Sequence, residues 1–335
     1  MTLSDKLQQY LCGLWEADVT VEALSRIPGG ASRETYRFDA IVGGQRRRLI
    51  LRRDPTGSLI DTDRRLEFLA FQSFHGRGVP APEPIVLEAD GGALERPFFI
   101  MGRIDGGAAA SPFQADAYGE HAAALGEQFF SILGRIAAAD ATSLPIAEVA
   151  PAPAPEDCWR RELDYWAGVI EADELHPQPI VRAAIRRLRS NPPSPAQKVG
   201  VVHGDYRSGN FLHDGAGEII AILDWEMAHL GDPLEDLAWA LDPLWRHFDL
   251  ERAGGMLPDA EAIAIWERTS GLTLDPEAFR WWRLFAAVKG QAIWTSSARE
   301  FRDGGLRDPI LAFSGWYTAR RQDEILAQQL EAFAA

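Results

Sequence analysis

The sequence predicts an α+β protein of two lobes: a small mixed α/β lobe over residues 1–105 and a large, mainly helical lobe over residues 106–335. Three observations predict it. Strand-like alternation is concentrated before residue 105, and helical spacing dominates beyond it. Only Trp15 of the 11 tryptophans precedes residue 150, so the two parts build their cores from different material. A chain of 335 residues also exceeds the roughly 250–300 residues that one hydrophobic core usually supports.

The small lobe begins with Thr35–Ile41 and Arg47–Arg53, which alternate apolar and polar residues around Val42-Gly43-Gly44, a hairpin signal. Pro28-Gly29-Gly30-Ala31-Ser32 is a flexible turn leading into the first of these strands. Asp61–Phe74 reads as a helix with Leu66, Ala70, Phe71 and Phe74 on its apolar face, closing at Gly76 and Gly78 before Pro80, Pro82 and Pro84. Ile85–Glu88 and Pro97–Met101 flank the turn Asp90-Gly91-Gly92 as two further strands. Asp105-Gly106-Gly107 is the connector. Beyond it, Ala108–Ala139, Asp157–Ile170, Ile180–Ser190, Pro233–Trp245, Asp259–Ser270, Pro276–Ser297 and Pro309–Ala335 carry helical spacing, and the Pro/Ala-rich stretch from Pro145 to Pro155 is a loop. One β island interrupts them: Phe211–His213, the turn Asp214-Gly215, and Glu218–Leu223. The cleft between two such lobes is the expected ligand site.

Composition narrows the function. With 46% hydrophobic and 25% charged residues the chain is an ordinary globular one, not a disordered one. Its net charge is −15, nearly all of it accumulated after residue 105, which argues against a nucleic-acid partner. Cys12 and Cys158 have no CxxC or Cys/His neighbours and predict neither a disulfide framework nor a thiolate metal site. Met1–Thr20 lacks a basic start followed by an apolar core, and no apolar run approaches the roughly 18–20 residues that span a bilayer. The expectation is a soluble, cytoplasmic protein with no membrane partner.

The chemistry concentrates in His203-Gly204-Asp205-Tyr206-Arg207-Ser208-Gly209-Asn210 and in Ile222-Leu223-Asp224-Trp225-Glu226. Asp205 and Asn210 stand five apart across a glycine-containing loop, and the Asp-Gly hairpin doubles the chain back so that Asp224 returns toward Asn210. Two carboxylates and an amide are hard oxygen ligands suited to Mg²⁺. If Asn210 and Asp224 hold the ion, Asp205 is free to orient and deprotonate a hydroxyl. Phosphoryl transfer needs that division of labour, and an Asp-x₄-Asn loop followed by a metal-binding Asp is its protein-kinase form. Here His-Gly-Asp replaces His-Arg-Asp and Asp-Trp-Glu replaces Asp-Phe-Gly.

With these motifs the chain resembles the aminoglycoside phosphotransferase family of kinase-like enzymes, most closely the branch that includes the kinase-like domain fused to acyl-CoA dehydrogenases. The resemblance rests on His203–Asn210, Leu223–Glu226 and Leu230-Gly231-Asp232-Pro233-Leu234-Glu235-Asp236-Leu237-Ala238, and more weakly on Gly29–Tyr36, Leu51–Pro55 and Phe98–Gly106. It implies a protein-kinase-like two-lobe fold and an ATP- and Mg²⁺-dependent phosphotransferase acting on a small-molecule hydroxyl. It further implies that Asp205 is the catalytic base, Asn210 and Asp224 bind Mg²⁺, His203 braces the loop and Asp236 stiffens it. Gly29–Tyr36, with Ser32 and Arg33, would cover the ATP phosphates. The adenine edge would lie against Gly102, Arg103 and Ile104, with Met101 behind. The chain departs from the family in one respect: the small lobe has no lysine after Lys6. Arg52 occupies the place of the phosphate-binding strand lysine and Glu67 that of its helix partner, with Arg53 as the other candidate because neighbours on a strand face opposite ways.

Plainer readings stand beside these. Asp232-Pro233-Leu234-Glu235 looks like a helix start, with Asp as N-cap, Pro at the first helical position and Glu closing a capping box. Glu226 and His229 read as structural or cleft-edge groups. Arg182, Arg186 and Arg189 form a solvated helix face or an anion site, and Trp281, Trp282, Trp294 and Trp316 read as core and interlobe packing. Two rival functions remain open. One is a metal-dependent hydrolase built on His203, Asp205, Asp224 and His229; the other is a non-catalytic nucleotide-binding protein. Hydroxylated acyl compounds, aminoglycoside-like and choline-like molecules are the candidate acceptors.

Overall fold

The computed structural model describes residues 1–27, 34–54, 64–111, 113–304 and 308–334. Strands Val19–Arg26 (β1), Glu34–Val42 (β2), Gln45–Arg53 (β3), Pro84–Glu88 (β4) and Phe98–Gly102 (β5) form an antiparallel sheet in the order β1-β2-β3-β5-β4. Gly43 and Gly44 make the β2–β3 turn at φ 55° and 80°, the positive-φ pair that matches the twist of a two-residue hairpin. β1 was not expected. A bulge between Glu22 and Ser25, with Ala23 at φ 54°, throws Leu24 out of phase with Val19 and Val21 and hides the strand's period. The N-terminal helix Leu3–Trp15 (α1) was also unannounced; Thr2 and Asp5 close a capping box at its start.

Alternation along the strands sorts the small lobe into two faces. Phe38, Leu49, Leu51, Phe98 and Ile100 face Leu7 and Leu11 of α1 in a closed core of their own. Ile50, Phe99 and Met101 face the other way, toward helix Arg64–Phe74 (α2), and join the core of the large lobe. Phe74 stacks on the fully buried Trp225 at 4.9 Å and 25°. The two lobes therefore share one apolar core behind the cleft.

The large lobe comprises Ala122–Ala138 (α3), Cys158–Asp173 (α4), Pro179–Ser190 (α5), Leu234–Ala240 (α6), Asp259–Ser270 (α7), Pro276–Asp303 (α8), Pro309–Phe313 (α9) and Ala319–Ala334 (α10). The helix expected from Ala108 starts only at Ala122, because Ala108 is taken up in an extended bridge with His213. The stretch expected as one helix to Trp245 breaks after Ala240, where Asp242 caps a short 3-10 turn beginning at Pro243. Trp281 and Trp282 are core residues, whereas Trp316, expected in the packing, is 63% exposed on the π-turn before α10. Arg182 and Arg189 of the arginine row pair with Glu174 and Asp164 on an open helix face. No described helix is long and apolar enough to cross a membrane.

Two short strand pairs sit under the cleft: Gly200–Val202 (β6) with His229–Gly231 (β9), and Phe211–His213 (β7) with Ile219–Ile222 (β8). Three-residue β6 and β9, like the two-residue strands Arg252–Ala253 (β10) and Leu257–Pro258 (β11), are too short to show a period.

Replacing Trp225 with Ala should cost about 3–5 kcal/mol of stability in denaturant unfolding, the usual loss for an aromatic truncated in a core, and Trp225→Phe markedly less. Unchanged stability in Trp225→Ala would show that the shared core does not depend on this stack.

Candidate functional site

The β6–β7 loop, residues 203–210, and the β8–β9 loop, residues 223–228, lie side by side because their flanking strands pair. Phe211 is opposite Ile222 in β7–β8, and the Leu223 N–H donating to the Asn210 carbonyl at 2.9 Å extends that ladder by one step. Asp224 comes next, so the hairpin brings it to Asn210's edge. Val202 pairing with His229 closes the other end. Asp224 holds φ 58° and ψ 59°, a left-handed conformation that costs energy in a non-glycine residue and clusters at functional sites.

Asp205 is gripped from three sides. Its Oδ2 accepts from Asn210 Nδ2 at 2.6 Å and its Oδ1 from Trp239 Nε1 at 2.8 Å, while Arg207 Nε donates to both oxygens at 3.1 and 3.3 Å. Asn210 Nδ2 also donates to the Asp205 carbonyl at 2.9 Å. With the amide nitrogen committed twice, Asn210 Oδ1 is the atom left to meet a ligand.

Beneath them His203 is fully buried. Its Nε2 donates to the Leu223 carbonyl at 2.9 Å and its Nδ1 accepts the Asp205 N–H at 3.2 Å, so the two bonds select one neutral tautomer. Burial pushes its pKa down to about 4, which agrees with that neutral state. Asp236 accepts the N–H groups of His203 and Gly204 at 2.5 and 2.9 Å. Burial, reinforced by the neighbouring Glu235 charge, raises the Asp236 pKa to about 6. Gly204 sits at φ 84°, and a Cβ there would lie 2.2 Å from the Met227 carbonyl oxygen; only glycine fits.

Above, the buried Arg52 donates through Nη1 to Glu67 Oε1 at 2.5 Å and to Asp224 Oδ1 at 3.2 Å, and its Nη2 lies 3.7 Å from Glu226 Oε2. Burial opposes the guanidinium charge, but the facing Glu67, Asp224 and Glu226 carboxylates outweigh it and raise the pKa. Arg53 points to the opposite face of the sheet, bonded to Glu34 at 2.7 Å, so of the two candidates it is Arg52 that reaches the cleft. Arg52, Asp224, Met101, Arg103 and Ile104 line one cleft of about 1150 Å³. The Arg103 guanidinium is taken up by Asp39 at 3.2 Å and Asp105 at 2.8 Å. Past it, the Ile104 N–H has no backbone partner among the described residues. Ser32 and Arg33 lie outside the described residues.

The capping box expected at Glu235 does not form. Asp232 does receive the Leu234 N–H at 3.0 Å, but Glu235 turns inward, its Oε1 accepting from Lys289 Nζ at 2.8 Å and its Oε2 from His229 Nε2 at 3.1 Å. A buried ammonium needs a counter-charge, and that need outweighs a cap. Glu162 Oε1 lies 3.5 Å from the same His229 nitrogen. Glu162, His229 and Glu235 form the one cluster of metal-ligand type among the described residues, and Arg161 and Lys289 already neutralise its carboxylates. The hydrolase centre is not assembled: His203 spends one ring nitrogen on its own loop and the other on Leu223, and His229 is bound by Glu162 and Glu235. Trp239 and Lys289 were not among the residues that sequence pattern singles out. A signal for Lys289 was there, since it is the only charged residue from Leu284 to Ser297.

Comparison with known proteins identifies the family and the fold. The model of the phosphotransferase enzyme family matches residues 23–282. The chain belongs to that family. Its relatives include acyl-CoA dehydrogenase family member 10 of Mus musculus, 29% identical over 240 residues covering 70% of this chain, and member 11 of Gallus gallus, 25% identical over 243 residues, also 70% of this chain. This phosphotransferase-family chain spans only 22% and 30% of those two proteins. Viomycin phosphotransferase of Streptomyces vinaceus is 30% identical over 167 residues, 48% of this chain and 55% of its own length. Among solved structures, a Ralstonia eutropha protein provisionally assigned as an aminoglycoside phosphotransferase superposes with TM-score 0.76 at 18% identity, covering 98% of both chains. A thermostable mutant of the aminoglycoside phosphotransferase APH(4)-Ia, in complex with AMP-PNP and hygromycin B, gives TM-score 0.63 at 18% identity over 98% of this chain and 99% of its own. The fold is the kinase-like one.

His229 makes stability depend on pH. Burial disfavours its charge, yet the Glu162 and Glu235 carboxylates prevail and raise its pKa to about 9 from the ordinary 6.5. A raised folded-state pKa contributes stability that is complete below pH 6.5 and lost as pH climbs through 9. The unfolding free energy should therefore fall by on the order of 2 kcal/mol between neutral pH and pH 9.5, and His229→Gln should flatten that slope. Equal slopes in the two proteins would remove His229 as its source.

Proposed function

We propose that this chain is an ATP- and Mg²⁺-dependent kinase that transfers the γ-phosphoryl group to a hydroxyl of a small molecule. The observation that carries the reading is the convergence on one interlobe cleft of Arg52, bonded to Glu67, and Asp224, beside the Asp205–Asn210 pair. The donor set suits Mg²⁺: Asn210 Oδ1 has no hydrogen-bond partner among the described residues and the Asp224 side chain is 47% exposed, two hard oxygens on adjacent loops. Mg²⁺ held there would offset phosphate charge. Arg52 supplies a fixed cation for the phosphates, and its bond to Glu67 keeps it aimed. The Ile104 N–H and the apolar Met101 and Leu212 suit an adenine edge and face.

Asp205 acts at the acceptor. Trp239, Arg207 and Asn210 orient its carboxylate so that it takes the proton of the incoming hydroxyl. The hydroxyl oxygen bonds to the γ-phosphorus as the bond to the β,γ-bridging oxygen breaks and ADP leaves. Hydroxylated acyl, aminoglycoside-like and choline-like molecules are the acceptors to screen.

Calorimetric titration with ATP tests the reading. Binding should require Mg²⁺ and weaken about 10-fold or more in Asp224→Ala, the scale of one lost charge-assisted contact. Asp205→Ala should bind ATP as the parent does while losing roughly 10²–10⁴ in transfer rate. ATP binding indifferent to Mg²⁺ and to Asp224→Ala would overturn the metal assignment, and undiminished transfer by Asp205→Ala would overturn the base.

A further inference from the structure

Lys289 lies on α8, far in sequence from both loops, and is 1% exposed. Burying an ammonium is costly, and a side chain kept only for packing would be better apolar. The contacts of Lys289 explain its presence. Its Nζ donates to the Gly204 carbonyl at 2.5 Å, one residue before Asp205, and to Glu235 Oε1 at 2.8 Å. The same ammonium lies 5.3 Å from the ring centroid of Trp239, whose indole N–H holds Asp205 Oδ1 at 2.8 Å. A second ring, Trp166, has its centroid 5.7 Å from the ammonium.

We infer that Lys289 is a positioning residue for Asp205, fixing the carboxylate through the Gly204 backbone and through the Trp239 ring at once. The inference rests on the proposal that Asp205 is the base. Glu235 completes the device: one oxygen pairs with Lys289, and the other binds His229 at the start of β9. The ammonium thus links the loop after β6 to its neighbouring strand. Burial works against its charge, but Glu235, with Asp236 and Glu162 farther off, keeps it protonated. No uncharged side chain of similar length could satisfy the Gly204 carbonyl and attract the Trp239 ring together.

The test separates position from stability and from turnover. Tryptophan-¹⁵N-labelled protein gives an indole N–H resonance for Trp239, assigned with Trp239→Phe, and Asp205→Ala shows where it moves when its acceptor is gone. Lys289→Met should shift that resonance toward the Asp205→Ala position. It should also lower ATP turnover with water as acceptor by about 10–100-fold, the scale of a mispositioned catalytic group, while calorimetry shows ATP affinity within about twofold of the parent. Because Lys289→Met strands the buried Glu235, the double variant Lys289→Met/Glu235→Gln removes both charges. It should regain melting temperature but neither turnover nor the Trp239 resonance. A folded Lys289→Met protein with the parental resonance and turnover would overturn the inference, as would a double variant that recovers turnover with stability. If Asp205→Ala hydrolyses ATP as the parent does, the base reading fails instead, and the indole resonance alone still reports whether Lys289 holds the carboxylate.

Discussion

The carboxylate of Asp236 takes the N–H groups of two consecutive residues, His203 and Gly204, in a place closed to solvent. Leaving those donors unpaired would cost about 1–3 kcal/mol each, so the start of the loop has one satisfied arrangement. The rest of the site is built on it. Gly204 is driven to positive φ against the Met227 carbonyl, where no side chain fits. Asp205, next in line, gives its N–H to His203 and turns its carboxylate to Trp239 and Asn210. His203 reaches across to Leu223, and Asp224 is the residue after that. A single buried acid on α6 thus sets both functional loops.

Charge is arranged in three tiers around this point. Arg52 answers Glu67, Asp224 and Glu226 at the roof; Arg207 answers Asp205 in the loop; Lys289 and Arg161 answer Glu235 and Glu162 below. The tiers differ in balance: the loop pairs one cation with one carboxylate, while the roof sets one guanidinium against three. The lower tier also accounts for His229. With both carboxylates at its Nε2, it acts as a third cation of the lower tier.

Much of the candidate site's placement was legible because it is set locally. Asp205, Asn210 and Asp224 sit in short segments whose spacing is set by one hairpin, and turn signals at Asp214-Gly215 fix that hairpin. The choice of Arg52 over Arg53 needed one further fact, which face of β3 looks inward. What the sequence hid is long-range or out of phase. The bulge at Ala23 disguised β1, and β6 and β9 are too short for a period. Glu235 and Lys289 meet across 54 positions, so local pattern made Glu235 a cap when its true partner lay two helices away. Trp239 looked like any core tryptophan until its indole N–H was seen to find a carboxylate.

The two ends of the cleft are built differently. At the back, Phe71, Phe74 and Trp225 are packed ring on ring, out of water. At the front, Arg48 and Arg103 reach Asp105 and Asp39 through pairs partly open to solvent, each worth about 0–1 kcal/mol. Arg52 lies inward of that front edge, and its Nη1 reaches Glu67 of the small lobe and Asp224 of the large one together. A lysine would bring one compact charge to the same place. The guanidinium fork can keep one arm on Glu67 while the other turns to a new anion, so the lost lysine need not mean a lost phosphate contact.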